Sequence, residues 1–287
     1  MAKANQVLME IYFITAEHVK FDGGACFGVV PKSLWGKIYQ PDEHNMVDVA
    51  LRNLLVVENG RKILFDTGVG NKQDEKFRSY FVLRGEDNLV NALEAHGFST
   101  DDITDVVHTH LHFDHCGGSF RYGDSNQPYP VFKNATLWCS QRQWNWANNP
   151  NPRERASYLK ENLLPLQQSG KLNFVADETL FTEKIFLKMV NGHTDGQLIP
   201  VIDYHGRKLV FMADFIPTTA HISLPYIAGY DTRPLLSMEE KEGFLAEAVE
   251  NHYLLVFQHD ALNECCTVQQ TEKGVKVKEK GRLSDFL

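Results

Sequence analysis

Val106-Val107-His108-Thr109-His110-Leu111-His112-Phe113-Asp114-His115-Cys116-Gly117-Gly118 sets four imidazoles and a carboxylate into eight residues, directly behind a β-branched apolar pair. The pair reads as the start of a buried strand. Imidazoles and a carboxylate make a poor continuation of a core and a natural metal site. In His110-x-His112 the alternation of a continuing strand puts both rings on one side, and Asp114 and His115 turn back towards the same space once the strand ends. Two ions fit this arrangement better than one.

Three later apolar runs each end in a metal-binding residue type. Ile185 to Val190 runs into Asn191-Gly192-His193-Thr194-Asp195-Gly196, Lys208 to Ala213 into Asp214, and Tyr253 to Phe257 into Gln258-His259-Asp260. Neutral imidazole with carboxylate suits zinc, and iron, manganese and cobalt accept similar ligands. A carboxylate such as Asp214 can bridge two ions, and a two-metal site holds a hydroxide between them while polarising a substrate oxygen. That is hydrolysis without a serine or cysteine nucleophile.

The remaining pattern is that of an α/β chain. Val7 to Thr15 reads as a strand, and Lys20 to Gly28 as a loop too rich in glycine for regular structure. Val47 to Glu58 and Lys62 to Phe65 form a hairpin about Asn59-Gly60, and Asp66 at its end is placed to support a ligand from behind. A helix is expected over Asp87 to His96 with Gly97 as its stop, a strand over Asn134 to Cys139, and helices over Gln141 to Ala147 and Arg153 to Leu166. Ser237-Met238-Glu239-Glu240 fits a capping box opening a helix whose buried side is Phe244, Leu245, Ala248 and Val249. Cys266 to Glu279 reads as a hairpin and 281 to 287 as a loose tail. Two blocks, 7 to 165 and 171 to 287, suit two similar halves packed face to face within a single domain spanning 1 to 287.

Bulk properties exclude several classes. With 43% hydrophobic and 23% charged residues in 287, the chain has ample core material. A formal charge of -8 argues against nucleic-acid and anionic-membrane partners. Cys26, Cys116, Cys139, Cys265 and Cys266 are odd in number with no CxxC spacing, which points to reduced thiols in a cytoplasm. Met1 to Phe13 has no signal-peptide core, and no apolar run reaches the length of a membrane span.

His110-Leu-His112-Phe-Asp114-His115 resembles the HxHxDH signature of the metallo-β-lactamase superfamily, and Gly192-His193-Thr194, Asp214 and His259 match its later ligand positions in order. The resemblance implies an αββα sandwich, two mixed sheets face to face with helices outside and the metals at one edge. It implies one divalent ion on His110, His112 and His193, a second on Asp114, His115 and His259, and Asp214 between them, with zinc the first choice. It also gives Asp114 the task of orienting the hydroxide and passing a proton to the leaving group, and sets His108 aside as structural.

Antibiotic-hydrolysing members typically carry a cysteine where this chain has Asp214, and glyoxalase II members a histidine where it has Gln197. Phe21 to Trp35 and Ala213 to His221 instead resemble the branch of quorum-quenching acyl-homoserine lactonases and methyl parathion hydrolases. Lactonases of that branch place a tyrosine three residues after the bridging aspartate, where this chain has Pro217. His221, Tyr226 and Tyr230 are therefore the candidates for the oxyanion contact. The resemblance implies a homodimeric hydrolase opening a small-molecule lactone or related ester. A phosphotriesterase on the same metals and a non-catalytic metal-binding module are the alternatives, and the loops Phe21 to Trp35 and Phe215 to Asp231 are where a substrate is chosen.

Overall fold

Asn59 and Gly60 both take left-handed backbone angles (φ 49° and 81°), which gives a two-residue turn whose twist matches that of the strands it joins. Glu58 and Arg61 pair directly across it. The computed structural model describes residues 9–83, 88–123 and 127–287, so the first two residues of the expected opening strand and Asp87 lie outside the described residues. The strands are β1 (Met9–Asp22), β2 (Met46–Glu58), β3 (Arg61–Phe65), β4 (Asp105–Val107), β5 (Phe120–Tyr122), β6 (Pro128–Pro130), β7 (Thr136–Ser140), β8 (Leu172–Val175), β9 (Thr179–Leu180), β10 (Ile185–Val190), β11 (Gln197–Tyr204), β12 (Arg207–Phe211), β13 (Leu254–Val256), β14 (Cys265–Thr271) and β15 (Gly274–Gly281). The helices are α1 (Gly23–Phe27), α2 (Lys32–Trp35), α3 (Glu75–Tyr80), α4 (Asn88–Ala95), α5 (Phe113–Cys116), α6 (Gln141–Asn148), α7 (Lys160–Gln168) and α8 (Pro234–Glu250).

One mixed sheet runs β1-β2-β3-β4-β7-β8 and the other β15-β14-β13-β12-β11-β10-β9, with β5 and β6 a separate pair. Strand alternation makes the sandwich. Leu54, Val56, Ile63, Phe65 and Val107 share one apolar cluster with Leu187, Ile202, Phe211 and Val256 of the opposite sheet. The residues between them, Leu55, Leu64 and Val106, join a second cluster with Leu89 and Leu93 of α4 and Leu163 and Leu166 of α7. Phe244, Leu245 and Ala248 of α8 are buried in the cluster of the second sheet. The layers are thus helix, sheet, sheet, helix, and each buried leucine or phenylalanine contributes roughly 1.5–3 kcal/mol to holding them.

Several expectations are corrected. β1 continues to Asp22, because beyond a bulge at Thr15/Glu17 Val19 still pairs with Val49 and Phe21 with Val47. The glycine-rich stretch after it is helical at α1. Asp22 Oδ1 accepts the Ala25 amide at 2.8 Å, and Gly23 is required because a Cβ there would meet the Trp35 ring at 2.4 Å. β8 pairs with β7, so the two sheets part after Val175 and not at 165–171. The segment from Arg153 is not one helix but a single turn at Arg155–Ser157 followed by α7. α8 starts at Pro234, which places Ser237 and Glu240 inside the helix instead of at its cap. The tail is anchored, with Leu283 buried and its amide donated to Glu264 Oε2 at 2.7 Å. Among the described residues, no helix is long and apolar enough to cross a membrane.

Candidate metal centre

β4 stops at Val107, so His110 and His112 do not alternate along a strand. The backbone there is fixed by Asp66, whose Oδ1 accepts the Thr109 amide at 2.7 Å and whose Oδ2 accepts the Thr109 hydroxyl at 2.8 Å. Asp66 itself sits in the left-handed region (φ 61°), a conformation that aspartate tolerates better than most residues and that aims its carboxylate under the loop. His112 then caps α5, whose single turn carries Asp114 and His115.

The structure brings the seven candidate donors together as two buried groups, His110, His112, His193 and Asp214 in one, Asp114, His115 and His259 in the other. His112 Nδ1 lies 3.0 Å from His110 Nε2 and 3.2 Å from His193 Nε2. Asp214 faces both groups. Its Oδ2 lies 3.2 Å from His193 Nε2 and 3.8 Å from His110 Nε2, and its Oδ1 lies 2.7 Å from His259 Nε2 and 3.3 Å from His115 Nε2. Asp114 Oδ2 is 3.6 Å from His115 Nε2.

Every one of the five rings has its other nitrogen engaged. His115 Nδ1 donates to Asp66 Oδ2 at 2.9 Å, His193 Nδ1 to Asp231 Oδ1 at 2.9 Å, His259 Nδ1 to the Ala50 carbonyl at 2.9 Å and His112 Nε2 to Glu154 Oε1 at 2.9 Å. His110 Nδ1 donates to the Thr109 hydroxyl at 3.1 Å, since that hydroxyl spends its own proton on Asp66. This aims the second nitrogen of each ring at the centre, where it can bind metal once it gives up any proton. Asp214 Oδ1 is buried with no hydrogen-bond partner of its own. A buried acceptor without a donor is costly, and convergent lone pairs repel, so the donor set fits a pair of cations.

The electrostatics agree. Burial lowers the His115 pKa, but Asp114, Asp214 and Asp66 together carry it well above its ordinary value. Burial works against ionised Asp214, yet His259, His115 and His193 hold it well below the carboxylate range. Burial, with His115 and His112 adding to it, drives His110 well below the usual imidazole value. The pocket favours positive charge between its carboxylates and ionised Asp214 beneath it.

His112, Asp114, His193 and Asp214 of the two groups form the floor of a cavity of about 600 Å³ whose walls include Phe21, Met46, Phe81, Phe113, Arg153 and Tyr230, with His110, His115 and His259 outside its lining. Of the three candidates for the oxyanion contact, only Tyr230 is in this wall, its ring centre 5.7 Å from that of His193. His221 is turned to structural use. Its Nε2 donates to the Cys26 carbonyl at 2.9 Å, its Nδ1 faces the Thr218 hydroxyl at 2.8 Å, its ring stacks on Phe27, and burial pulls its pKa down to about 4. Tyr226 packs edge-on against Phe27 behind the wall. His108, fully buried, meets the Ser119 hydroxyl at 3.2 Å. Sequence reasoning missed Glu154 and Asp231. Glu154 also receives the Tyr158 hydroxyl at 2.6 Å and the Trp146 indole N–H at 2.6 Å, and its pKa, despite burial, is brought down to about 2, chiefly by the hydrogen bond from His112.

Comparison with known proteins places the family and the fold. The sequence profile of the metallo-beta-lactamase superfamily matches residues 52–259. An N-acyl homoserine lactonase of Bacillus cereus is 27% identical over 240 residues, covering 78% of this chain and 83% of that protein. A probable metal-dependent hydrolase from Staphylococcus aureus superposes with a TM-score of 0.85 at 29% identity, covering 95% of this chain and 96% of the other. A dizinc quorum-quenching lactonase bound to its product superposes at 0.77 with 21% identity and 94% of each chain covered, which shows a shared fold.

Proposed function

The chain belongs to the metallo-beta-lactamase superfamily, and on that premise we propose that it is a dinuclear, zinc-dependent hydrolase that opens lactones of the acyl-homoserine type. One observation carries the reading: the two oxygens of Asp214 address two separate sets of imidazoles at the floor of a cavity large enough for a small amphipathic ester. His110, His112 and His193 would hold one ion, Asp114, His115 and His259 the other, with Asp214 shared. When bound, such a pair supplies a nucleophilic water at neutral pH and a Lewis acid for the carbonyl.

The protein groups divide the remaining work. Asp114 orients the attacking water, takes its proton and returns it to the alkoxide released when the ring opens. Burial raises the Tyr230 pKa well above its usual value, so the phenol stays protonated and serves as a hydrogen-bond donor to the developing oxyanion, the task that the residue at Pro217 does not perform. Phe21, Met46, Phe81 and Phe113 offer an apolar channel for an acyl chain and exclude water from the floor. The lactonase relatives support the substrate class.

The test is turnover by the zinc-loaded protein of N-hexanoyl-homoserine lactone beside an aryl phosphotriester. The lactone is expected to be the better substrate by kcat/KM. A clear preference for the phosphotriester would transfer the same site to phosphorus chemistry, and inertness to both with two ions bound would leave a metal-binding module.

A further inference from the structure

The core-facing stripe of α8 changes character along its length. Arg233, just before the helix, and Ser237, Glu240 and Lys241 recur at helical spacing, and the same face continues as Phe244, Leu245 and Ala248. The apolar end packs on the second sheet. The polar end grips two different loops.

The first loop carries His193. Glu240 accepts the amides of Asn191 at 2.8 Å and Gly192 at 3.0 Å, and Arg233 donates to the Asn191 carbonyl at 2.8 Å. Ser237 donates to Asp231 Oδ2 at 2.6 Å, and Asp231 in turn holds His193. The approach is so close that a Cβ on Gly192 would lie 2.4 Å from the Ser237 hydroxyl. The second loop leads to Tyr230. Lys241, 1% exposed, donates all three ammonium protons to carbonyls, those of His221 at 3.0 Å, Ser223 at 3.1 Å and Tyr226 at 2.8 Å. None of these acceptors is a carboxylate. Burial pulls the Lys241 pKa down to about 7 with only the charge of Asp231 opposing it, and an apolar side chain would fill the same space without that cost. What the ammonium adds is a fixed path for three carbonyls in a loop whose backbone pairs with no strand among the described residues and whose other ties include Lys276 of β15 on the Ser223 hydroxyl and the Ala25 carbonyl on the Gly229 amide.

We propose that Lys241 is a positioning residue for the substrate wall, setting the 221–230 loop and hence Tyr230, while Ser237 and Glu240 position the His193 donor, so that one helix governs substrate fit and metal retention through separate residues. The first half rests on the cavity being the substrate site. Lys241→Met keeps the alkyl stem and removes the donors. It is expected to raise KM for N-hexanoyl-homoserine lactone about tenfold, as loss of ground-state fit by the loop wall requires, and to lower kcat as well, as displacement of the Tyr230 phenol requires. Both zinc ions should remain by elemental analysis, and faster amide exchange should be confined to 219–230. Lys241→Arg, which returns donors, is expected to restore KM. Glu240→Gln is expected to weaken one zinc by about tenfold while leaving KM at saturating zinc unchanged.

Loss of zinc in Lys241→Met comparable to that in Glu240→Gln, or an unchanged KM with exchange spread through both loops, would overturn the division of labour. Should Lys241→Met not accumulate as folded protein, Lys241→Gln, which keeps two donors on a shorter stem, reads a KM shift in the same direction and of smaller size. If the wild type does not turn over the lactone, the substrate reading fails by itself, and the zinc content and exchange patterns still decide the roles of the two helix positions.

Discussion

The two donor groups that share Asp214 are braced in different ways. On one side His112 and His193 pass their outward N–H groups to carboxylates, Glu154 and Asp231, which are themselves tied by Tyr158, Trp146 and Ser237. On the other, His115 leans on Asp66, but His259 leans on a main-chain carbonyl of β2. The first group has three imidazoles beside the shared carboxylate and takes additional negative charge from behind; the second has Asp114 among its own donors and borrows rigidity from the first sheet. Charge is spread so that each side has carboxylate within or directly behind it, and the geometry of each depends on a different part of the chain.

The most severe way to break this comparison is to remove what the sides have in common. Asp214→Asn is expected to abolish two-ion loading, leaving at most about one ion per chain by elemental analysis and no measurable lactone turnover, since the amide cannot serve both groups as an anion. Retention of two ions and full turnover would overturn the site. Next come the braces. Glu154→Gln and Asp231→Asn are each expected to cost about 10- to 100-fold in affinity for the ion on the His110 side, and Asp66→Asn a similar factor on the His115 side. Competition with a chromophoric chelator reads these affinities one at a time. Asparagine tolerates the left-handed backbone at position 66, so this change tests charge and not strain.

A third experiment probes stability away from both groups. His221 is buried neutral, with its pKa lowered to about 4. The unfolded chain takes up its proton near 6.5, so this contribution is complete above pH 6.5 and is lost as pH falls towards 4, about 3 kcal/mol in all. Urea midpoints of the wild type should fall across that window more steeply than those of His221→Gln; parallel slopes would show that the ring is not held neutral. The smallest effect is expected at Tyr226→Phe, which should leave kcat and KM within about twofold as a substitution away from special features does, whereas Tyr230→Phe should lower kcat.

Local chemistry and the donors at the ends of later apolar runs were legible in the chain, and the side chains that brace them from a distance were not. Asn59-Gly60 dictates its hairpin from two residues, and His110 to His115 announce a metal site because the donors are contiguous. Glu154 and Asp231 carry no such mark, for they meet His112 and His193 from 42 and 38 residues away. The glycines at 23 and 28 concealed α1 because one reports tertiary crowding, Trp35 over Gly23, and the other a left-handed stop after the helix, and not a lack of helix. Ser237 and Glu240 match a capping box in spelling, but Pro234 begins the helix and their side chains are spent on the His193 loop. His221 looked available as a polar residue near Asp214, and only the Cys26 carbonyl, 195 positions away, shows that it is occupied.

His259 and His115 come within 3.4 Å of each other although 144 residues separate them in the chain. Contacts of that span form late, because the entropy of closing so long a loop must be met before any contact rewards it. During synthesis and refolding the contiguous His110 to His115 stretch therefore exists as a partial chelator well before His259 arrives. A metal ion caught early would be held by an incomplete set, and the order in which sheet docking and metal capture occur should be visible as a zinc-dependent refolding phase.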